Sequence, residues 1–180
     1  MTTRVDLSNP KPAVFLDRDG TLMEEMDYCS KPEDVHVYSN VSNNLYRLRK
    51  AGFLTIVITN QAGIGRGYFT EAEYWQVHYE FLRQIDSRLI DATYFCPDHP
   101  DCATSRRKPG IGMIEEAQRD WNIDLGHAWL IGDKTSDIEC GKAAGLRTIL
   151  VSTGYGKSED CKPDFRAKDF AWAVDQILVG

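Results

Sequence analysis

The chain has 180 residues, a formal net charge of −6 and a 42% hydrophobic composition, enough for one sizeable core. An acidic chain is a poor general partner for a nucleic-acid backbone, no segment approaches the roughly 18 apolar residues of a membrane span, and the opening MTTRVDLSNPKP lacks an apolar signal core. Five scattered cysteines, Cys29, Cys96, Cys102, Cys140 and Cys161, suggest no disulfide framework. The expectation is therefore a cytoplasmic monomer, one domain over 1–180, without nucleic-acid or membrane partners.

Residues 1–12 read as a polar lead-in, flexible at its start. Ala13-Val14-Phe15-Leu16 is a short apolar run that predicts a buried central strand. Asp17 and Asp19 stand at its end, followed by Gly20 and Thr21. Glu24 to Asp34 is polar and predicts a loop over the mouth of a crevice, where Glu25 to Tyr28 either touch a bound molecule or lie exposed. Val41, Leu45, Leu48 and Ala51 recur at helical spacing up to a stop at Gly52. Phe53 to Ile58 predicts a second buried strand, ending in Thr59, Asn60 and Gln61. Ala62-Gly63-Ile64-Gly65-Arg66-Gly67 reads as a glycine-rich loop, a nest for phosphate or simply a flexible turn. Thr70-Glu71-Ala72-Glu73 has the capping-box pattern and starts a helix to about Leu89, with Trp75, Tyr79, Leu82 and Ile85 as core positions.

Ala92 to Phe95 predicts a third strand, and Cys96 to Cys102 a loop. Arg106-Arg107-Lys108-Pro109 concentrates positive charge in an acidic chain, and Gly110 to Met113 leads into a helix through about Trp121. Ala128 to Ile131 predicts a fourth strand, ending in Gly132-Asp133-Lys134-Thr135-Ser136-Asp137. A helix follows from Ile138 to Ala144, then a fifth strand from Thr148 to Val151. After Gly156 the tail is polar until a last apolar-periodic helix from about Phe170 to Leu178.

This alternation predicts an α/β fold: a doubly wound, Rossmann-like parallel sheet with helices on both faces and no large cap domain. Strand ends in such a sheet face the ligand crevice, which brings Asp17, Asp19, Thr59, Asn60, Asp133 and Asp137 to one rim, with Lys108 at a helix start between two strands. Neighbouring carboxylates repel unless a cation or proton offsets them. Asp133 and Asp137 also read as ordinary helix N-terminal caps. Oxygen ligands of this kind suit a hard cation such as Mg²⁺ beside a phosphate. A carboxylate can attack phosphorus once a metal and a lysine neutralise the charge.

Taken in order, Asp17-Arg18-Asp19-Gly20-Thr21, Thr59-Asn60, Arg107-Lys108-Pro109 and Gly132-Asp133-Lys134 with Asp137 resemble the four motifs of the haloacid dehalogenase superfamily of phosphatases. More narrowly, FLDRDGT, TNQAGIGRG and RKPGIGM followed by IGDK are similar to the family of heptose-bisphosphate 7-phosphatases and histidinol-phosphatases. The resemblance spans about residues 12–156. It implies a Mg²⁺-dependent phosphatase acting on a small sugar phosphate, heptose bisphosphate first, through an aspartyl phosphate. Histidinol phosphate, or a non-catalytic phosphosugar-binding role on the same fold, are the alternatives. By position, Asp17 is implied as nucleophile and metal ligand. Asp19 is implied as acid and base, with its backbone carbonyl on the metal, and Asp133 as a further ligand. Thr59 and Lys108 are implied to hold the phosphoryl group. Arg18, Glu25, Tyr28, Asn60, Gln61, Arg107 and Lys134 are implied as substrate contacts, while Asp137 orients Lys134 or Lys108.

The chain departs from the family in one place. These relatives carry a zinc loop before RKP with a Cys-x-His pair and a Cys-x-Cys pair. Here Cys96 keeps its place, Asp98 holds the His position, His99 comes one residue late and Cys102 alone represents the second pair. Cys96, His99 and Cys102 are thus candidate zinc ligands in an incomplete set, and a zinc-free loop is the expectation.

Overall fold

The computed structural model describes residues 9–179. The expectation of a flexible start falls on residues 1–8, outside the described residues. Six strands form one sheet: β1 (Ala13–Leu16), β2 (Leu54–Asn60), β3 (Ala92–Cys96), β4 (Trp129–Gly132), β5 (Arg147–Val151) and β6 (Phe165–Ala167). Their order is β3-β2-β1-β4-β5-β6 and every pairing is parallel. In the middle, Phe15 lies opposite Ile56 on one side and Leu130 on the other. Strand order reverses at β1 and β4, and such a switch point opens a crevice at the carboxyl ends of the two strands.

Side-chain alternation along β1 divides the core in two. Val14 and Leu16 face α1 (Val41–Lys50), α3 (Glu71–Ile85) and α6 (Phe170–Val179), through residues such as Leu45, Phe81 and Val174. Ala13 and Phe15 face α4 (Gly112–Trp121) and α5 (Thr135–Ala143), through Met113, Ala117 and Cys140. A strand buried on both faces needs an unbroken apolar run, and β1 is buried at all four positions. The stretch between β1 and α1 holds no inserted domain. It folds back on itself, with Met23 bridging both Asp19 and Val37. Among the described residues no helix is long and apolar enough to cross a membrane.

The structure corrects four sequence expectations. β6 lies in the tail read only as polar, and only Ala167 of its three residues is buried, so no apolar run announces it. It is fixed from β5's side, where Asp164 accepts from the N–H and hydroxyl of Thr148, each at 2.7 Å. In α3 the buried stripe is Tyr74, Val77, His78, Phe81 and Ile85, while Tyr79 is 63% exposed and Trp75 is half-buried. The helix is turned by one position because Val77, Phe81 and Ile85 carry the four-residue recurrence that meets the sheet. The capping box forms as expected, but the helix ends at Ile85, where Asp86 adopts a φ of 73° and accepts the Arg88 N–H. Finally, residues 62–65 are not an open loop but a short helix, α2 (Ala62–Gly65). A Cβ at Gly63 would strike the ring of Phe69, and one at Gly65 the backbone of Pro97 and His99, so these glycines serve close packing.

Candidate active site

Asp17 follows β1 directly, and its N–H donates to the Ile131 carbonyl of β4 at 2.9 Å. Asp133 follows β4, and Asp137 lies in the first turn of α5, so three buried carboxylates meet at the switch point. One oxygen from each of Asp17, Asp133 and Asp137 lies within 4.8 Å of the others. Burial, then the charges of Asp17 and Asp137, push the Asp133 carboxyl up to about 8. Burial pushes Asp137 up as well, to about 6, although Lys108 opposes it. Asp133 Oδ2 accepts the Tyr155 N–H at 2.9 Å, while its buried Oδ1 has no hydrogen-bond partner among the described residues. Crowded oxygens with one orphaned lone pair and an uphill charge fit a hard divalent cation. Asp133 reaches this position through two glycines. A Cβ on Gly20 (φ 82°) or Gly154 (φ 52°) would collide with its carboxylate.

Lys108 comes from the segment before α4. Its ammonium meets Asp17 Oδ1 at 2.8 Å, Asp137 Oδ1 at 2.6 Å and the Ile58 carbonyl at 2.8 Å. Burial disfavours its charge, but Asp137 and Asp17 outweigh that and hold its pKa above the ordinary lysine value. Asn60 clamps the Lys108 backbone from both sides, accepting its N–H at 3.1 Å and donating to its carbonyl at 3.0 Å. Asp137 Oδ2 also accepts the Lys134 N–H at 3.0 Å, so one carboxylate sets both lysine segments.

Asp19 is held from three sides. Gln61 donates to it at 2.9 Å, the Thr59 hydroxyl lies 3.4 Å away, and Arg18 donates twice, at 3.1 and 3.0 Å. Two expected substrate contacts are therefore placed differently. Arg18 is wholly buried and lines neither cavity, because its guanidinium turns under the strand end to Asp19 and the Tyr74 ring, 5.3 Å from the centroid. Gln61 lines the cavity, but its amide is engaged by Asp19 and Thr59.

A cavity of about 370 Å³ opens above these groups, walled by Glu25, Asp27 and Tyr28 from one loop, Arg107 and Lys108 from another, and Lys134, Tyr155 and Glu159. A recess of about 30 Å³ adjoins it, lined by Asp17, Asp19, Thr59, Lys108 and Asp137 among others. Lys134 pairs with Glu25 at 2.9 Å. Burial alone would lower its pKa, but Asp17 and Glu25 hold it raised. Arg107 Nη1 is buried without a hydrogen-bond partner, whereas Arg106 turns away to Glu116 at 2.7 Å.

The candidate zinc ligands do not converge as these carboxylates do. Among the described residues, Asp17, Asp133 and Asp137 form the one three-residue group close enough to share an ion. Cys96 is buried at the end of β3, His99 Nδ1 accepts the Asp101 N–H at 3.2 Å, and Cys102 is exposed. Tyr155 and Glu159 are cavity residues that the sequence did not single out, while Asp27 falls in the Glu25–Tyr28 stretch that it left open. Tyr155 and Glu159 lie beyond the last motif, and no local pattern marks them. The Gly154–Gly156 pair flanking Tyr155 was the single available sign of a tight turn.

A family model described as HAD-hydrolase-like matches residues 105–175. The chain is 36% identical to a D-glycero-D-manno-heptose-1,7-bisphosphate 7-phosphatase of Thermosynechococcus vestitus, over 93% of this chain and 96% of that protein. It is 38% identical to a D-glycero-alpha-D-manno-heptose-1,7-bisphosphate 7-phosphatase of Photorhabdus laumondii, over 84% and 88%. Among solved structures, the D,D-heptose 1,7-bisphosphate phosphatase of B. bronchiseptica complexed with magnesium and phosphate superposes with a TM-score of 0.86 at 28% identity, over 93% of this chain and 98% of that one.

Proposed function

We propose a substrate and a mechanism for this chain, which belongs to the haloacid dehalogenase-like phosphatases and, within them, to the family of the heptose-1,7-bisphosphate 7-phosphatases. The substrate is D-glycero-D-manno-heptose 1,7-bisphosphate, hydrolysed at its 7-phosphate with Mg²⁺. One observation carries the chemistry: Asp17, Asp19, Thr59 and Lys108 line one recess at the switch point, next to the carboxylate of Asp133.

Asp17 is the nucleophile. Its carboxylate oxygen bonds to phosphorus as the bond to the sugar oxygen breaks, and Asp19, as the general acid, gives that oxygen its proton. The resulting aspartyl phosphate is attacked by water, whose proton returns to Asp19, and inorganic phosphate leaves. Arg18, Gln61 and Thr59 hold Asp19, which lines the same recess as Asp17. The Lys108 ammonium, already between Asp17 and Asp137, offsets the approach of two anions, and the Thr59 hydroxyl faces a phosphoryl oxygen. Asp17, Asp133 and the backbone carbonyl of Asp19 would hold Mg²⁺, which would supply further charge neutralisation for the phosphoryl group.

The mouth supports a bisphosphate over histidinol phosphate. Glu25, Asp27 and Glu159 already have partners, Lys134, Tyr155 and Thr135. Of the residues lining the larger cavity, Arg107 alone carries a buried polar atom without a partner, and it is a donor suited to a second anionic group. The test is phosphate release with Mg²⁺ from the heptose bisphosphate, histidinol phosphate and a heptose monophosphate. The expected result is a clear preference for the bisphosphate, reduced about tenfold or more by Arg107→Ala. Preference for histidinol phosphate contradicts the substrate, and no turnover of any ester contradicts the mechanism.

A further inference from the structure

Tyr155 joins three parts of the site. Its backbone N–H donates to Asp133, the Lys134 ammonium sits 4.6 Å from its ring centroid, and its hydroxyl donates to Asp27 Oδ1 at 2.5 Å. That last bond links segments 128 residues apart in sequence. On the far side of it, Asp27 and Tyr28 adopt φ values of 40° and 72° without being glycine. Left-handed backbone at non-glycine residues is costly and persists where the surroundings over-determine it. Four contacts do so here: Asp27 on Tyr155, the Asp27 N–H on Glu25 Oε1 at 3.2 Å, Glu25 on Lys134 at 2.9 Å, and the Tyr28 ring edge-on to Tyr68 at 4.9 Å. The Tyr155 segment is itself anchored, because Glu159 accepts from both the N–H and the hydroxyl of Thr135 in the first turn of α5.

We propose that the Tyr155–Asp27 hydrogen bond clips the 24–29 loop over the cavity, and that Tyr155 is thereby a positioning residue that favours esters with a large polar leaving group over small ones. With no inserted cap in this fold, the clipped loop is the wall that meets the part of the substrate beyond the phosphoryl group. Glu25, Asp27 and Tyr28 wall the cavity of about 370 Å³ only while that loop stays down. A sugar filling that volume uses the preformed wall, and a small aryl phosphate does not, so releasing the clip weakens the first selectively. The inference rests on the phosphatase reading above.

The experiment measures phosphate release, with Mg²⁺, from the heptose bisphosphate and from p-nitrophenyl phosphate. The variants are Tyr155→Phe, Asp27→Ala, the double variant and Asp27→Asn. Tyr155→Phe and Asp27→Ala are each expected to lower the ratio of the two kcat/KM values about tenfold, mainly through KM of the sugar ester. The double variant is expected to lose no more than either single one, since both remove the same bond. Asp27→Asn keeps an acceptor and is expected to recover most of the loss. In parallel, hydrogen exchange of residues 24–29 is expected to quicken in Tyr155→Phe and Asp27→Ala. An unchanged ratio, additive losses, or unchanged exchange in the loop overturns the clip. If the unaltered protein prefers another sugar phosphate, the substrate reading fails on its own and the ratio is taken with that ester. If it turns over no ester, the specificity role falls with the mechanism.

Discussion

Lys108, in the floor of the site, is buried and meets two carboxylates and a carbonyl within 2.8 Å. Tyr155 and Asp27, at the mouth, are exposed and meet through one hydrogen bond. The floor gathers residues from three strand ends and two helix starts. The mouth is two loops leaning together. A buried charge that loses its partner has no water to turn to, whereas a mouth residue relaxes into solvent. On the proposed reading, the floor carries the phosphoryl transfer and the mouth the choice of ester.

The largest expected effect is in the floor. Asp17→Asn removes the proposed nucleophile and is expected to cut phosphate release by roughly 10⁴-fold or more while circular dichroism shows a folded protein. Retained turnover would move the nucleophile elsewhere. Next, Lys108→Met leaves Asp17 and Asp137 facing each other without a cation. The expected loss is about 3–5 kcal/mol in urea unfolding without Mg²⁺, with Mg²⁺ restoring part of it. A loss under about 1 kcal/mol would mean that the floor is not under this charge constraint.

A smaller effect separates a buried group from an exposed one by pH. Burial, aided by Arg18, pushes His78 down to about 3, so in the folded state it stays neutral as pH falls below the ordinary histidine value of 6.5. The unfolded chain takes up that proton, binds more protons across this window, and so gains on the folded state as pH falls. Stability is expected to decline on acidification from pH 6.5 toward 3, with His78 contributing up to about 1.4 kcal/mol per pH unit. His78→Phe, which keeps a ring beside Tyr74 and Phe81, is expected to flatten that limb in urea titrations at pH 5 and 7. At the other extreme, the Arg83–Glu80 pair sits on the outside of α3 at 2.7 Å. Arg83→Ala is expected to leave the melting temperature within error. A marked shift there would contradict the division between buried and exposed pairs.

The same division explains what the sequence made legible. Strand-end residues are readable because a buried parallel strand is a continuous apolar run, and its last residue announces itself by being polar. That located Asp17, Thr59 and Asp133 together with the sheet that unites them. Tyr155, Asp27 and Glu159 belong to loops whose contacts depend on where two distant segments meet, and no spacing rule encodes that. Arg18, implied as a substrate contact by the resemblance, is turned inward by alternation at the strand end, where Asp19 and Tyr74 receive it. In α3, Trp75 and Tyr79 are the conspicuous apolar residues, but the sheet takes the face with Val77 and Phe81 and buries His78 with them. β6 is held by its neighbour's hydrogen bonds and by Asp164 rather than by apolar burial, so composition could not find it.

The measurement that bears most directly on the account is acid quenching during turnover of the heptose bisphosphate with Mg²⁺, followed by peptide mapping of the protein by mass spectrometry. The expected result is one phosphoryl group on the peptide carrying Asp17, labile to hydroxylamine, absent in Asp17→Asn and enriched in Asp19→Asn, where water is poorly deprotonated. Turnover with no phosphorylated peptide at any quench time, or a phosphoryl group on another residue, would contradict it.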